Sequence, residues 1–236
     1  MDLPQSAPGV TLDPTCYWSP DVYEAELDRV FRSGWVAVGH VSQVADAGSY
    51  RCVDVSGESL VVTRDRGGLL HVLSRVCPHR WMEACSGDGT ARSLQCPYHH
   101  WTFNLAGQLR AAPAMGAAFD KSACSLTEFR HEVWEGFIFV NVDGGAPDVR
   151  ELWSPLADQL HDYRLAGWRV VSTIDWGERP WNWKVLMDNG ECYHHLGLHQ
   201  HSLEPLYPAR DVRDAPDNGA FTCLVAPARE ARDRAG

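Results

Sequence analysis

Two short segments of the sequence pair a cysteine with a histidine at metal-ligand spacing. In CPHRW, Cys77 precedes His79 by two positions. In CPYHHW, Cys96 precedes His99 by three positions. Thiolate sulfur and imidazole nitrogen are ligands that zinc and iron accept readily in proteins. The sequence therefore predicts one metal centre built from two loops, each of which supplies one cysteine and one histidine.

Two kinds of centre fit this ligand set. A structural zinc ion binds two thiolates and two imidazoles in one tetrahedron. A Rieske [2Fe–2S] cluster needs two cysteines on one iron and two histidines on the other, so each loop must supply one of each. The spacing meets that need and favours iron with sulfide. His100 could compete with His99, but the Cys-x-x-His spacing favours His99.

CPHR and CPYHHW resemble, in order and spacing, the two ligand loops of the Rieske proteins. The resemblance implies a [2Fe–2S] cluster held by four residues, Cys77, His79, Cys96 and His99. Trp81 and His100 stand where the family usually has glycine, and such bulky residues are expected to alter cluster exposure or partner docking. Cys85 lies between the loops and is interpreted as a packing residue.

A second group of ligand-type residues lies in NWKVLMDNGECYHHLGLH, residues 182–199. His194 and His199 are five positions apart, so an unbroken helix would rotate them away from each other. Gly197 permits the bend that would bring them together. Two imidazoles and one carboxylate form a facial triad that leaves positions open on iron(II) for oxygen and substrate.

The same segment resembles the catalytic segment of Rieske non-haem iron oxygenases, with an NWK helix start, an acid–Asn pair, and an acid and Tyr before His-x4-His. By that resemblance His194 and His199 bind a mononuclear iron. Glu191 would link this iron to a Rieske histidine of the neighbouring subunit. Asp188 and Asn189 match the supporting acid–Asn pair, although the segment is one residue shorter here.

Other histidines and acids near this motif leave alternatives open. His195 and His199 have the i, i+4 spacing that grips zinc on a helix, and His201 could replace His199 after a register change. The family's third iron ligand is an acid far downstream, and no equivalent is evident in this sequence. Three acids follow nearby, in a plausible loop: Asp211, Asp214 and Asp217. We expect them to be solvated loop residues.

Composition excludes several function classes. The 236 residues are 44% apolar, which suffices for the core of one large or two modest domains. The chain has 21 basic and 31 acidic residues, and this negative balance disfavours nucleic acid or an anionic membrane as a partner. No stretch approaches a spanning helix, and MDLPQSAPGV lacks the basic and apolar parts of a signal peptide. We expect a cytoplasmic protein, in which cysteines paired with histidines serve metal binding.

Hydrophobic patterning predicts an α+β fold in three regions. Residues 1–34 include a helix in SPDVYEAELDRVFRSG, which Ser19 caps and Gly34 ends. Residues 35–150 form an antiparallel β Rieske domain, predicted from six short apolar runs: WVAVGH, YRCVDV, SLVVTRD, LLHVLSRV, WTFNLAGQL and WEGFIFVNVD. Residues 151–236 begin an α+β catalytic domain of the helix-grip type, as the resemblance implies.

Three elements are predicted after the β domain. ELWSPLADQLHDYRL has the leucine spacing of a helix. WRVVSTIDW has the composition of a strand, and a second helix is predicted from about Pro180.

These features together predict the front part of a Rieske oxygenase catalytic subunit. The resemblance implies electrons from NAD(P)H through a separate flavin reductase, sometimes with a ferredoxin, then through the cluster to a mononuclear Fe(II). There O2 is activated, and a small organic substrate is hydroxylated or N-demethylated in a homotrimer. ECYHH resembles the branch that acts on betaine-like quaternary amines. The alternative hypotheses are an electron-transfer protein with a degenerate second domain, and an interaction domain stabilised by a structural zinc ion.

Overall fold

The computed structural model describes residues 11–116, 118–190, 196–215, 219 and 221–227. Within the described residues the chain is a mixture of helices and antiparallel sheets, so the predicted fold class is confirmed. The chain divides into two compact units, called here the β unit and the helical unit. The predicted domain boundaries at residues 34/35 and 150/151 stay predictions. No described helix is long and apolar enough to cross a membrane.

The β unit comprises Glu24–Val149 and Tyr163–Thr173. Its described residues form ten strands: β1 (Val36–His40), β2 (Ser49–Val55), β3 (Glu58–Arg64), β4 (Leu70–Ser74), β5 (Asp88–Thr90), β6 (Leu94–Gln95), β7 (Thr102–Phe103), β8 (Leu109–Ala111), β9 (Arg130–Trp134) and β10 (Phe137–Asn141). They pair in the orders β1-β10-β9, β4-β3-β2-β5 and β6-β7-β8. Each of the six predicted apolar runs contributes to at least one strand.

The β4-β3-β2-β5 sheet buries residues on both faces, because successive side chains along a strand point to opposite sides. One face packs into the loop-side core: Val61, Leu73, Cys77, Ala84, Leu94, Cys96, Trp101, Phe103, Leu105, Leu109 and Leu126. The other face packs into the sheet-side core: Val38, Val44, Val55, Leu60, Val62, Val72, Ile138 and Val140. The loop-side core contains both cysteines of the predicted centre.

The helical unit comprises Met1–Tyr23, Arg150–Asp162 and Ile174–Gly236. Its described residues include the helices α1 (Thr15–Trp18), α4 (Ser154–Leu160), α5 (Lys184–Gly190) and α6 (Leu196–His199), and the two-residue strands β11 (Arg213–Asp214) and β12 (Leu224–Val225). Two further helices, α2 (Pro20–Glu26) and α3 (Val149–Leu152), extend across the division between the units. The predicted N-terminal helix is α2 with its continuation at Leu27–Arg32.

Two predicted elements after the β domain need correction. The predicted helix over residues 151–165 is two helices, because Trp153 leaves the helical conformation and Pro155 lacks the N–H that a continuous helix needs. The predicted strand over WRVVSTIDW is wrong, since residues 168–176 have no ladder partner among the described strands. β-branched composition favours a strand only where a neighbouring strand pairs with it.

Asn141, at the end of β10, hydrogen-bonds to the backbone at the end of the first helix of the β unit. Its side chain is fully buried, and Nδ2 lies within 3.0 Å of the carbonyl oxygens of Arg32, Ser33 and Gly34. Oδ1 accepts the backbone N–H of Ala146 at 2.9 Å. Removing this amide would leave buried backbone groups without partners.

We expect Asn141→Ala to lower the free energy of unfolding of the β unit by about 3 kcal/mol, because several buried hydrogen bonds are lost at once. Asn104→Ala is the matched control, since the exposed Asn104 side chain hydrogen-bonds with Gln108 across a hairpin tip. That change should cost about 1 kcal/mol. Urea denaturation followed by tryptophan fluorescence measures both variants, and equal losses would show that Asn141 has no special role.

Candidate metal centres

The first Cys-His segment forms a tight turn between β4 and β5. The backbone N–H of Cys77 donates to the carbonyl oxygen of Met82 at 2.8 Å, and the N–H of Trp81 donates to the carbonyl of Cys77 at 3.0 Å. An isolated bridge between Val76 and Glu83 closes the base of the turn. The turn therefore has six residues and begins with the cysteine.

The second segment, between β6 and β7, repeats the same backbone pattern. The N–H of Cys96 donates to the carbonyl of Trp101 at 2.9 Å, and the N–H of His100 donates to the carbonyl of Cys96 at 3.0 Å. The cysteine again comes first in a six-residue turn. The histidine is the third residue of the first turn and the fourth residue of the second, so the same turn presents its imidazole from two different positions.

The two cysteines lie in the loop-side core, with 1% of Cys77 and 2% of Cys96 exposed. Burial raises the pKa of the Cys77 thiol, and the neighbouring Cys96 adds to this rise. The backbone N–H groups of His79 and Arg80 hydrogen-bond to the Cys77 sulfur and act in the opposite direction. A bound cation would replace the thiol proton, because metal ligation requires the thiolate.

The two imidazoles face each other near the surface. The ring centroids of His79 and His99 are 4.6 Å apart, and both side chains are partly exposed. Trp101 stacks on His79 with a centroid distance of 4.7 Å and an interplanar angle of 4°. Burial lowers the pKa of His79, and the nearby His99 and Arg80 add to this effect. The first loop's histidine is thus held by a side chain of the second loop.

An unpaired nitrogen tests whether these residues fit a Rieske cluster. His99 Nδ1 is buried and has no hydrogen-bond partner, although a buried polar atom ordinarily has one. A metal ion would satisfy this lone pair. Because cysteine faces cysteine and histidine faces histidine, the donors divide into two pairs, as a two-iron cluster with mixed ligands requires. The residues present therefore fit the group.

No three His, Cys, Asp or Glu side chains converge on one point in the described part of the chain. A structural zinc ion would need four donors around a single point. A Rieske cluster needs only two protein donors at each iron. The division of the four donors into a cysteine pair and a histidine pair favours the cluster over zinc.

Only part of the predicted mononuclear iron site lies within the described residues. His199 ends α6, is partly exposed, and has its Nδ1 3.4 Å from the Ser202 hydroxyl. Glu191, His194 and His195 lie outside the described residues. The geometry of the predicted pair His194 and His199 thus stays a prediction.

The predicted support residues Asp188 and Asn189 are exposed on α5. Asp188 accepts a hydrogen bond from the Tyr17 hydroxyl at 2.7 Å, and this bond raises the pKa of Tyr17. The Lys184 ammonium lies 5.7 Å from the Tyr17 ring and 5.0 Å from the Trp183 ring. Asp188 therefore joins the NWK helix to α1, a contact that nothing in the sequence spacing indicated.

The alternative ligands are spread along the end of the helical unit. Asp211 ends a short helical turn at Ala209–Asp211, Asp214 is exposed in β11, and His201 is exposed after α6. Asp217 lies outside the described residues. Sequence reasoning missed Trp101 as a functional residue, although it stands directly after the second ligand segment and its aromatic type was a signal for stacking.

Comparison with known proteins decides the family. Residues 34–130 match the model of the Rieske [2Fe-2S] domain. The carnitine monooxygenase oxygenase subunit of Acinetobacter pittii is 36% identical over 189 residues, which are 75% of this chain and 49% of that protein. This chain belongs to the Rieske oxygenase family.

Two further relatives agree with this assignment. The glycine betaine monooxygenase oxygenase subunit of Chromohalobacter salexigens is 32% identical over 213 residues, which are 89% of this chain and 48% of that protein. A crystal structure of a quaternary ammonium Rieske monooxygenase has a TM-score of 0.84 at 30% identity and covers 92% of this chain and 61% of its own. The chain spans about half the length of the curated relatives it matches.

The two departures from the Rieske pattern occupy the same position in the two turns. Trp81 and His100 are the fifth residues of their turns, and their φ angles are +60° and +59°. Glycine adopts this left-handed conformation readily, whereas a residue with a Cβ is strained in it. The backbone of the turn thus accounts for the glycine that the family pattern leads one to expect at this position. This chain retains the turn at the cost of strain and presents a tryptophan side chain that is 81% exposed.

We expect Trp81→Gly and His100→Gly each to raise the free energy of unfolding by about 1 kcal/mol, because glycine relieves the left-handed strain. Met82→Gly is the control for the entropy that glycine adds to the unfolded chain, since Met82 has no positive φ. It should lower stability by about 1 kcal/mol. Denaturant titration measures all three, and destabilisation by all three would contradict the role of strain.

Proposed function

We propose that this chain forms the cluster-binding domain and the first part of the catalytic domain of a Rieske monooxygenase that acts on a small quaternary ammonium compound. The observation that carries the proposal is the division of four donors from two matching turns into a cysteine pair and a histidine pair. The substrate class follows from the relatives, which are named for carnitine and glycine betaine.

In this proposal Cys77 and Cys96 hold one iron, and His79 and His99 hold the other. His194 and His199 would bind the mononuclear iron, and Glu191 would link that iron to a Rieske histidine of the neighbouring subunit. When bound, the cluster supplies one-electron transfer and the mononuclear iron supplies O2 activation.

The chain's own residues have distinct tasks around the cluster. Burial of Cys77 and Cys96 keeps water from the sulfurs, and the N–H donors on Cys77 favour the reduced state of a cluster by offsetting negative charge. The partly exposed edges of His79 and His99 give electrons a short path to a partner. Trp101 fixes the ring plane of His79 by stacking.

Electron donors and assembly are also part of the proposal. A flavin reductase fed by NAD(P)H, directly or through a ferredoxin, would supply the electrons in the cytoplasm. A related quaternary ammonium Rieske monooxygenase is described with electron transfer between subunits. We extend that arrangement to a homotrimer of the protein that carries this chain, in which Glu191 would face a histidine of the next subunit.

The cluster is tested by iron and acid-labile sulfide analysis of anaerobically purified protein, with electron paramagnetic resonance of the reduced sample. We expect about two irons and two sulfides with a Rieske spectrum. His99→Ala should abolish the spectrum, because His99 Nδ1 is the buried unpaired donor. His100→Ala is the matched control and should retain it. Zinc without sulfide would overturn the proposal.

The mononuclear site is tested by counting a third iron after ferrous reconstitution. His199→Ala should lose this iron and keep the cluster spectrum, whereas the control His201→Ala should keep about three irons. Glu191→Gln should also keep about three irons, because its carboxylate is proposed to act between the sites rather than as a ligand. A protein that holds the cluster but never a third iron would favour either an electron-transfer protein or a mononuclear site that needs the remaining length found in the relatives.

A further inference from the structure

Two cysteines that take no part in the proposed metal centres lie side by side in the β unit. The sulfur atoms of Cys52 and Cys85 are 3.7 Å apart. Cys52 lies on β2, and Cys85 lies in the segment between the first ligand turn and β5. Both side chains pack against the loop-side core and both are partly exposed. The interpretation of Cys85 as a packing residue therefore does not account for the second thiol, that of Cys52, beside it.

The backbone holds the two cysteines in this position. The N–H of Cys52 donates to the carbonyl of Gly87 at 2.9 Å, which pairs β2 with the segment that follows Cys85. The N–H of Ala84 donates to the carbonyl of Arg75 at 2.7 Å, at the base of the first ligand turn. A covalent bond between the sulfurs would thus join β2 to that base without large movement.

Charges around the pair make the two sulfurs unequal. The hydrogen bond between the two sulfurs lowers the pKa of Cys52, and the guanidinium of Arg75 adds to this effect. The same hydrogen bond raises the pKa of Cys85. Arg75 is held in place by Asp54 at 3.0 Å and Glu83 at 2.9 Å. Because the Arg75 guanidinium hydrogen-bonds to the Cys52 sulfur and also attracts its negative charge, we assign Cys52 the role of attacking thiolate and Cys85 that of resolving thiol.

A metal ion is a poor occupant of this site. No third His, Cys, Asp or Glu joins the two sulfurs in a ligand cluster within the described residues. The adjacent guanidinium also repels cations. Thiol chemistry is the remaining use of two sulfurs this close.

We propose that Cys52 and Cys85 form a redox-active dithiol that hydrogen peroxide converts into a disulfide. The Cys52 thiolate attacks one peroxide oxygen, the O–O bond breaks, and hydroxide leaves, so that Cys52 becomes a sulfenic acid. The Cys85 thiol then attacks the Cys52 sulfur, and the S–O bond breaks as the oxygen leaves with the thiol proton as water. One peroxide accepts two electrons from the two sulfurs.

The crosslink would act on the first ligand turn from outside the cluster. It would tie β2 to the base of the turn that carries Cys77 and His79, and a thiol reductant would release it. The inference stands on Cys52, Cys85 and Arg75 and does not rest on the proposed function. The two proposals can therefore fail separately.

Trypsin makes the test specific, because cleavage after arginine leaves each cysteine alone in its peptide. Cys52 lies in CVDVSGESLVVTR, residues 52–64, and Cys85 lies in WMEACSGDGTAR, residues 81–92. The purified chain is treated with stoichiometric to excess hydrogen peroxide, blocked with N-ethylmaleimide and digested just below neutral pH, where trypsin still cleaves and thiol–disulfide exchange is slow. Mass spectrometry then measures the pair of peptides joined by a bond that has lost two hydrogens.

We expect the joined pair 52–64 with 81–92 to be the main oxidised product and to disappear after thiol reduction. Cys52→Ser and Cys85→Ser should each abolish it, and Cys85→Ser should leave a sulfenic acid on Cys52 that dimedone traps. The matched control Cys124→Ser changes another partly buried cysteine beside the loop-side core and should retain the joined pair.

Three outcomes would overturn the inference. The first is oxidation that leaves both peptides separate, as free thiols or sulfonic acids. The second is a crosslink that joins either peptide mainly to those with Cys77, Cys96 or Cys124. The third is a dimedone adduct that forms equally on Cys52 and Cys124, since Arg75 and Cys85 would then give Cys52 no preference.

Discussion

The division of four donors into two pairs is the constraint on which the site depends. Two turns from separate parts of the β unit must hold cysteine against cysteine and histidine against histidine to offer the proposed cluster its ligands. The backbone positions the two cysteines, because each turn has the same two hydrogen bonds around its cysteine. Trp101 positions the histidines, since it belongs to one turn and stacks on the histidine of the other. Neither turn alone specifies the pairing.

The four-stranded sheet connects this site to the rest of the β unit. Its two faces serve different cores, so Val61 supports the ligand turns while its neighbour Val62 packs toward β1 and β10. Asn141 then fixes the point where the preceding helix enters. Packing on one face of the sheet is therefore coupled to stability on the other, because close-packed interiors transmit small displacements.

The sequence was sufficient to predict features that depend on neighbouring residues, such as ligand spacing and the alternation of apolar residues along a strand. Both ligand segments, the six apolar runs and the fold class followed from residue types and spacing. Contacts between distant residues escaped, such as Tyr17 with Asp188 and Cys52 with Cys85, because no periodicity encodes them. The strand expected at residues 168–176 failed because composition records β propensity and not the presence of a neighbour. The backbone strain at Trp81 and His100 could be recognised only from their φ angles in the structure.

The segment of residues 168–176, which was predicted as a strand but pairs with no described strand, has a practical consequence for handling the protein. Val171 is 100% exposed and Ile174 is 76% exposed, and tryptophans stand at both ends of the segment. Apolar, β-prone residues without a pairing strand are templates for association with other chains. Concentrated preparations of this chain would therefore lose material through self-association at this segment rather than through unfolding of the β unit, and a charged residue at Val171 is the first change for improving solubility.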